Sequence, residues 1–566
     1  MFIPTTHEEA TRRGWDALDV VIVSGDTYID SPYNGAAMIG HWLVSNGIRA
    51  GIVCQPDVSS DADIGRLGEP RLFWSVTAGC VDSMVANYTP TGKFRKDDDF
   101  TPGGRNDRRP DRACIAYTNL IKRHFRGKPV VLGGIEASLR RVAHYDAWSD
   151  SVRRSILFDA KADAVTYGMA EFSNLEIANR LNSGEDISCI RGTCRISKSP
   201  PGGYVGMPSF ERCRDERDAF VSAFDIFRKN CDPVTSKGLF QLHGDRCLVH
   251  EPPSRLPTVE ELDCFHSLDY ENAVHPYYAA QGPVRAMDTI KNSVTTHRGC
   301  YGGCSFCAIG VHQGRAVVSR SEDSIVAEVE RMSSKAGFNG IIHDLGGPTA
   351  NMYGIDCAKK ATHGCCAERA CLMPKPCPNL PLSHSRQISV LRRVSSVPGV
   401  KKVFVASGVR HDMVVHDRLH GREYLDEVVR NHVSGQMKIA PEHVSAEVLD
   451  LMGKPGPDVL LDFKDMFDES NSKAGKDQYL TYYLMAAHPG CRRKEMDELK
   501  DFVHAELQTN PEQVQIFTPT PSTASTTMYY TRRNCENTKD VASEHSMQMK
   551  QRQKEILTGK ANNDRR

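Results

Sequence analysis

Short apolar runs that end on glycine recur along this chain, and they constrain its fold more than any other feature. Asp19-Val-Val-Ile-Val-Ser24 stops at Gly25, Pro129-Val-Val-Leu132 at Gly133-Gly134, and Asp163 to Tyr167 at Gly168. Runs this short and this apolar predict strands buried on both faces, as in a parallel sheet covered by helices. Gly35 to Asn46 carries apolar residues at helical spacing, and Gly51 to Cys54 reads as the next strand. Residues 1–184 are therefore expected to form an open α/β sheet whose ligands sit beyond the carboxyl ends of its strands. Residues 185–285 are rich in Pro, Gly and charge without sustained periodicity, and read as a connecting region with some short strands. From Asn292 six strands are expected, at Ser293 to Thr296, Gly340 to Leu345, Lys402 to Ser407, Gln436 to Ile439, Tyr479 to Ala487 and Gln513 to Phe517. Helical patterns at Asp323 to Lys335, Arg386 to Val394, Gly421 to His432, Val444 to Phe467 and Arg493 to Leu507 separate them, which predicts a partial β/α barrel over 286–530 with its chemistry at the strands' carboxyl ends. The polar stretch 531–566 reads as a flexible tail.

Composition removes several classes. The 71 basic and 71 acidic side chains of the 566 residues cancel, which argues against a bulk polyanion-binding surface. The basic run Arg105 to Arg112 reads as a solvated loop, with nucleic acid as the minor alternative. No stretch approaches a membrane span and Met1 to Glu9 lacks a secretory pattern, so no membrane partner and a cytoplasmic location are expected.

In a reducing compartment the 19 cysteines are not expected to be staples, and they cluster. Cys300-Tyr-Gly-Gly-Cys304-Ser-Phe-Cys307 follows the first strand of the barrel region, and a random chain of this composition carries a C-x3-C-x2-C start in roughly 0.02 cases. Three thiolates are one short of a closed tetrahedral zinc site, unless His297 or His312 completes it; on a [4Fe–4S] cluster they leave one iron open. A second group, Cys357, Cys365, Cys366, Cys371 and Cys377, lies in an insertion over 355–380 punctuated by Pro374, Pro376 and Pro378. It has little apolar content to order itself. A second metal site, zinc or an auxiliary iron–sulfur cluster, on Cys357, Cys366, Cys371 and Cys377 is the expectation, against disulfides or plain buried thiols.

The three-cysteine spacing, with aromatic Phe306 before the last cysteine, resembles the radical SAM superfamily. That resemblance implies a [4Fe–4S] cluster on Cys300, Cys304 and Cys307 whose open iron binds S-adenosylmethionine, and reductive cleavage to a 5′-deoxyadenosyl radical. It further implies cofactor contacts at Gly346 and Gly347, although Pro348 stands where the family has a glutamate, and at Ser407, Arg410 and Glu442. An external reductant such as flavodoxin or ferredoxin is implied as partner. A closer likeness extends over Gly133-Gly-Ile-Glu-Ala-Ser-Leu-Arg-Arg141, His144-Tyr-Asp-Ala-Trp148, Tyr167-Gly-Met-Ala-Glu171, Ala440-Pro-Glu-His443, His488-Pro-Gly490, Gln513-Val-Gln515 and Phe517-Thr-Pro-Thr-Pro521, which are similar to the YgiQ-like radical SAM proteins. It implies an amino-terminal Rossmann-like domain of the cobalamin-binding type followed by a radical SAM partial (β/α)6 barrel. The loop Asp26 to Gly35 lacks the histidine that would reach cobalt, and His41 is read as a surface residue, so histidine-ligated cobalamin is not expected.

Other polar features divide evenly between readings. Glu136, Arg140, Arg141, His144, Tyr145 and Asp146 serve either a substrate or domain interface or helix-surface ion pairs, and His488-Pro-Gly490 either a barrel-mouth contact or a strand-ending turn. The competing class for the whole chain is a non-catalytic iron–sulfur electron carrier or sensor, in which protein ligands usually close all four irons. No catalytic acid, base or nucleophile is assigned.

Overall fold

The computed structural model describes residues 1–366, 369–536 and 538–559. The chain divides into two compact units, Met1–Leu256 with Cys264–Lys291 and Pro257–Asp263 with Asn292 onward.

In the first unit β1 (Val20–Ser24), β2 (Ala50–Cys54), β3 (Phe73–Thr77), β4 (Val130–Gly133) and β5 (Ala164–Thr166) pair in parallel in the order 2-1-3-4-5. Every residue of β1 and β2 is buried, as continuous Val/Ile runs require when helices cover both faces. The sheet continues antiparallel from β5 to β6 (Thr193–Ser197), then through the hairpin β8 (Leu239–His243) and β9 (Arg246–His250), with β7 (Val205–Met207) outermost and parallel to β8. Residues 185–285, expected as a connecting region, thus supply four strands of one nine-stranded sheet. Their signal is weak because polar residues interleave with apolar ones, as in Leu239-Phe-Gln-Leu-His243. The two-residue turn Gly244-Asp245, with Gly244 at φ +64°, was nevertheless a legible hairpin signal.

The strand order reverses between β1 and β3, where an open α/β sheet normally leaves its ligand crevice. Here the chain fills that position itself. A Cβ on Gly25 would lie 2.3 Å from Ala78 O, so the loops after β1 and β3 touch. Beyond them the fully buried side chains of Asp26 and Arg109 pair at 2.7 Å, and Arg109 also reaches Asp98 at 3.0 Å and Ala78 O at 2.7 Å. Gln55, after β2, donates to Gly25 O and to Thr101 Oγ1. The acidic and basic runs around 97–112 are therefore only partly a solvated loop: Arg105 and Arg108 are exposed, but Asp98 and Arg109 are interior. His41 is likewise buried, 2.7 Å from Asp30, and not a surface residue.

The polar stretch after β4 is interior scaffolding and not a row of surface ion pairs. Glu136 accepts from Ser83 N, Ser83 Oγ and Cys114 N, and Arg140 pairs with Asp82. Arg141 lies between the rings of Tyr167 and Phe227, 4.4 and 4.5 Å from their centroids.

In the second unit β10 (Ser293–Thr295) pairs with β12 (Asp344–Gly346), and β11 (Ile341–Ile342) with β13 (Lys402–Val403), all in parallel. The expected second strand is one strand interrupted at His343, whose amide donates to Asn292 O. The bridge Val409 to Ile439 leads to β14 (Gln436–Glu442), which runs parallel to β15 (Tyr479–Ala486) and then β16 (Gln513–Ile516). Six strand positions in chain order make the partial (β/α)6 barrel. The expected helix 444–467 is two, Ala446–Met452 and Pro457–Ala474, broken where Gly453 turns left-handed at φ +69° before Pro455. The expected flexible tail forms a helix over Met547–Thr558. Its polar residues are anchored: Lys550 is buried on the Tyr529 ring, and Gln553 accepts from Ala487 N. The last basic residues of the tail lie outside the described residues. Among those described, no helix is long and apolar enough to cross a membrane.

Candidate functional site

After β10, Thr296 N donates to Gly346 O at 2.7 Å, which ties the start of the three-cysteine loop to the Gly346-Gly347 segment. Gly299 then admits a turn no other residue could make, since at φ +81° its Cβ would stand 1.9 Å from Ala316 O. The loop that follows carries Cys300, Cys304 and Cys307 as free, half-buried thiols. Cys300 Sγ lies 3.4 Å from Thr349 Oγ1 and accepts from Gly302 N, while Arg410 Nη1 donates to Cys304 Sγ at 3.5 Å. A side chain on Gly302 would meet Arg410 Nη1 at 2.9 Å and Cys300 Sγ at 3.3 Å, so this glycine keeps the space between them open. Burial pushes the Cys307 thiol up to about 12, and the neighbouring Cys304 and Cys300 act in the same direction. A thiolate there at neutral pH needs a cationic centre in place of the proton.

Arg410 is held from two sides. Burial disfavours its charge, but a bidentate pair with Asp412 keeps it firmly protonated. Buried Asn351 accepts from Arg410 N at 2.8 Å and donates to Arg410 O at 3.0 Å, fixing the backbone. Behind it, His384 links Asn351 to Asp417, and that carboxyl is held down at about 2 because His384 and the amides of His420 and His384 outweigh the cost of burial.

Ser407 Oγ donates a hydrogen bond to Asp344, whose other oxygen accepts from Ala406 N and Ser407 N. A side chain on Gly347 would strike His297 at 2.4 Å, so glycine is required there. His297 is fully buried, with Nδ1 on Thr296 Oγ1 and no partner on Nε2. Burial lowers it to about 3. Glu442 ends β14 at a register shift, with its backbone at φ +69°, the kind of strained geometry that collects at functional sites. Burial raises its carboxyl, with Lys454 opposing from 3.7 Å.

The segment between the second and third cysteines is clamped. Ser305 N donates to Met452 O, Ser305 Oγ to Leu451 O, and Ser305 O accepts from Ser525 N. Ser525 Oγ is 2.7 Å from Ser305 Oγ and 2.7 Å from His488 Nε2, and His488 Nδ1 faces Pro489 O at 2.8 Å. Burial lowers His488 to about 3, so it is neutral and its Nε2 accepts from Ser525. His488-Pro-Gly490 is thus neither a mouth contact nor a plain turn, but an anchor for the cysteine loop. Phe306 packs edge-on against His488 at 6.1 Å. Asn351, Asp412, Lys454 and Ser525 were not foreseen. Only Lys454, in Gly453-Lys-Pro-Gly456, had a sequence signal, a lysine locked between two turn glycines.

Among the described residues, no three His, Cys, Asp or Glu side chains gather around a point that one ion could occupy. That holds for the triad Cys300, Cys304 and Cys307 and for Cys357, Cys366, Cys371 and Cys377 alike. Cys357, Cys371 and Cys377 pack, with Cys300, on an apolar cluster of Tyr301, Val317, Met352, Ile355, Leu372, Leu380 and Met413.

The radical SAM N-terminal family profile matches residues 2–293. A UPF0313 protein of Fusobacterium nucleatum subsp. nucleatum is 52% identical over 564 residues, 99% of each chain, and one of Thermotoga petrophila is 45% identical over 570 residues, 100% of each. Among solved structures, the cobalamin-dependent S-adenosylmethionine radical enzyme OxsB with aqua-cobalamin bound aligns with a TM-score of 0.51 at 9% identity, covering 86% of this chain and 52% of that one, a likeness of fold. The identity that runs the length of both chains, joined to the family profile, makes this protein a member of the UPF0313 family of radical SAM enzymes.

Proposed function

We propose that this chain cleaves S-adenosylmethionine reductively to methionine and a 5′-deoxyadenosyl radical that acts on a further substrate. The observation that carries the reading is three half-buried free thiols on one clamped loop with a buried guanidinium at Cys304. Cys300, Cys304 and Cys307 would hold a [4Fe–4S] cluster, which when bound supplies an open iron and one electron, drawn from a reductant of the flavodoxin or ferredoxin class, to break a C–S bond of the sulfonium. Arg410 offers a fixed positive charge beside that position, suited to a carboxylate. Gly346 O is already bonded to Thr296, so the backbone of half-buried Gly347 would make the contact for which Pro348 has no carboxylate. Glu442, strained and buried, presents a polar contact at the end of β14. Ser407, already spent on Asp344, acts by holding the β12 and β13 ends together. Phe306 closes the loop against His488. Anaerobic reconstitution tests the reading: four iron and four sulfide per chain are expected, with an EPR signal of the reduced protein that changes on adding S-adenosylmethionine. An unchanged signal favours the electron carrier.

The relative in fold binds cobalamin, and the first unit does not fit that group. Its crevice position is taken by Asp26, Arg109, Asp98 and Gln55, and the loop Asp26 to Gly35 offers no imidazole. Hydroxocobalamin added to the full chain is expected to keep its free absorption spectrum. Saturable binding at one per chain, or an EPR signature of histidine-ligated cobalt, would contradict this.

A further inference from the structure

Lys454 has no place in the assignments above, yet it is 5% exposed, and burying an ammonium demands compensation. One donor reaches Ala440 O at 2.7 Å, and Glu442 lies 3.7 Å away, beyond a hydrogen bond. The ammonium also stands 5.8 Å from the centre of the Phe306 ring, next to Cys307.

The surroundings of the loop explain why a cation belongs there. Helix Ala446–Met452 ends with its last carbonyls, Leu451 O and Met452 O, on Ser305, the residue after Cys304. A Cβ on Gly453 would lie 3.0 Å from Gly303 O, so this helix end and the cysteine loop are in direct contact. The carbonyl end of a helix carries negative potential, and thiolates facing it are disfavoured. Arg410 donates to Cys304, and Lys454, buried over the ring of Phe306, one residue from Cys307, is a cation on the other side of the loop.

We propose that Lys454 is the charge partner of the cysteine triad on the Cys307 side, and that its ammonium makes the bound cluster easier to reduce. The inference rests on the cluster reading above. Reduction adds a negative charge to a site already holding three thiolates, so a fixed positive charge nearby stabilises the reduced state more than the oxidised one. The lysine is a positioning and tuning residue, acting through the cluster and not on substrate.

The test is an EPR-monitored redox titration, with iron and sulfide analysis, of the reconstituted full chain as wild type, Lys454→Met and Lys454→Arg. Lys454→Met is expected to lower the reduction equilibrium constant at least tenfold, a shift of about 59 mV to more negative potential for one electron. Lys454→Arg, which keeps the charge, should stay nearer the wild type than the methionine variant. Loss of iron in Lys454→Met with retention in Lys454→Arg supports the same charge requirement. A methionine variant at the wild-type potential, an arginine variant shifted as far as the methionine one, or loss of iron in both overturns the proposal while the cluster reading stands. A wild type that takes up no iron and sulfide overturns the reading, and the proposal with it.

Discussion

Replacing Cys300, Cys304 and Cys307 together by alanine is expected to remove iron and sulfide to background and to abolish 5′-deoxyadenosine formation. All three thiols sit on one loop, which is clamped through Ser305. The first unit should be untouched, because its sheet is built from its own strands. Circular dichroism and limited proteolysis check that the variant remains folded. Undiminished product in the triple variant would place the chemistry elsewhere in the chain.

Replacing Arg109 by methionine is expected to destabilise the first unit by about 3–5 kcal/mol, the cost of leaving buried carboxylates without their partner. Asp26 and Asp98 both depend on it, and both side chains are at most 5% exposed. Urea unfolding followed by a probe in the first unit gives the number. Adding Asp26→Asn and Asp98→Asn to the same chain should recover much of the loss, since the stranded charges are then gone. A loss below about 1 kcal/mol, the scale of a surface pair, would show the filled crevice to be open to water.

The parts of this molecule that were legible in its sequence are those where one local signal suffices. Val20 to Ser24 and Val130 to Gly133 read as buried strands because continuous apolar runs ending on glycine have few other uses. The six strand positions of the barrel were visible through their regular alternation with helical patterns, and the three cysteines through their spacing. What was not legible depends on pairing across long separations. Leu239 to His250 looked like polar linker because its sheet neighbour, Thr193 to Ser197, is some fifty residues away in sequence. Arg109 looked like one of several solvated arginines, and nothing local marks it as the one that meets Asp26, 83 positions earlier. The tail looked mobile because burial of Lys550 and Gln553 depends on Tyr529 and Ala487, not on apolar periodicity. In the candidate site the residues that touch thiols or loop backbone were foreseen at Arg410. The residues that hold them, Asn351, Asp412 and Ser525, were not, because a supporting hydrogen bond leaves no pattern in the chain.

The central claim is that these three cysteines support cleavage of S-adenosylmethionine and not electron storage alone. The most direct measurement mixes the anaerobically reconstituted, reduced full chain with S-adenosylmethionine and quantifies 5′-deoxyadenosine and methionine together. The account predicts both products in equal amounts, beyond one per cluster with excess reductant. A fully loaded, fully reduced cluster that leaves S-adenosylmethionine intact would contradict it.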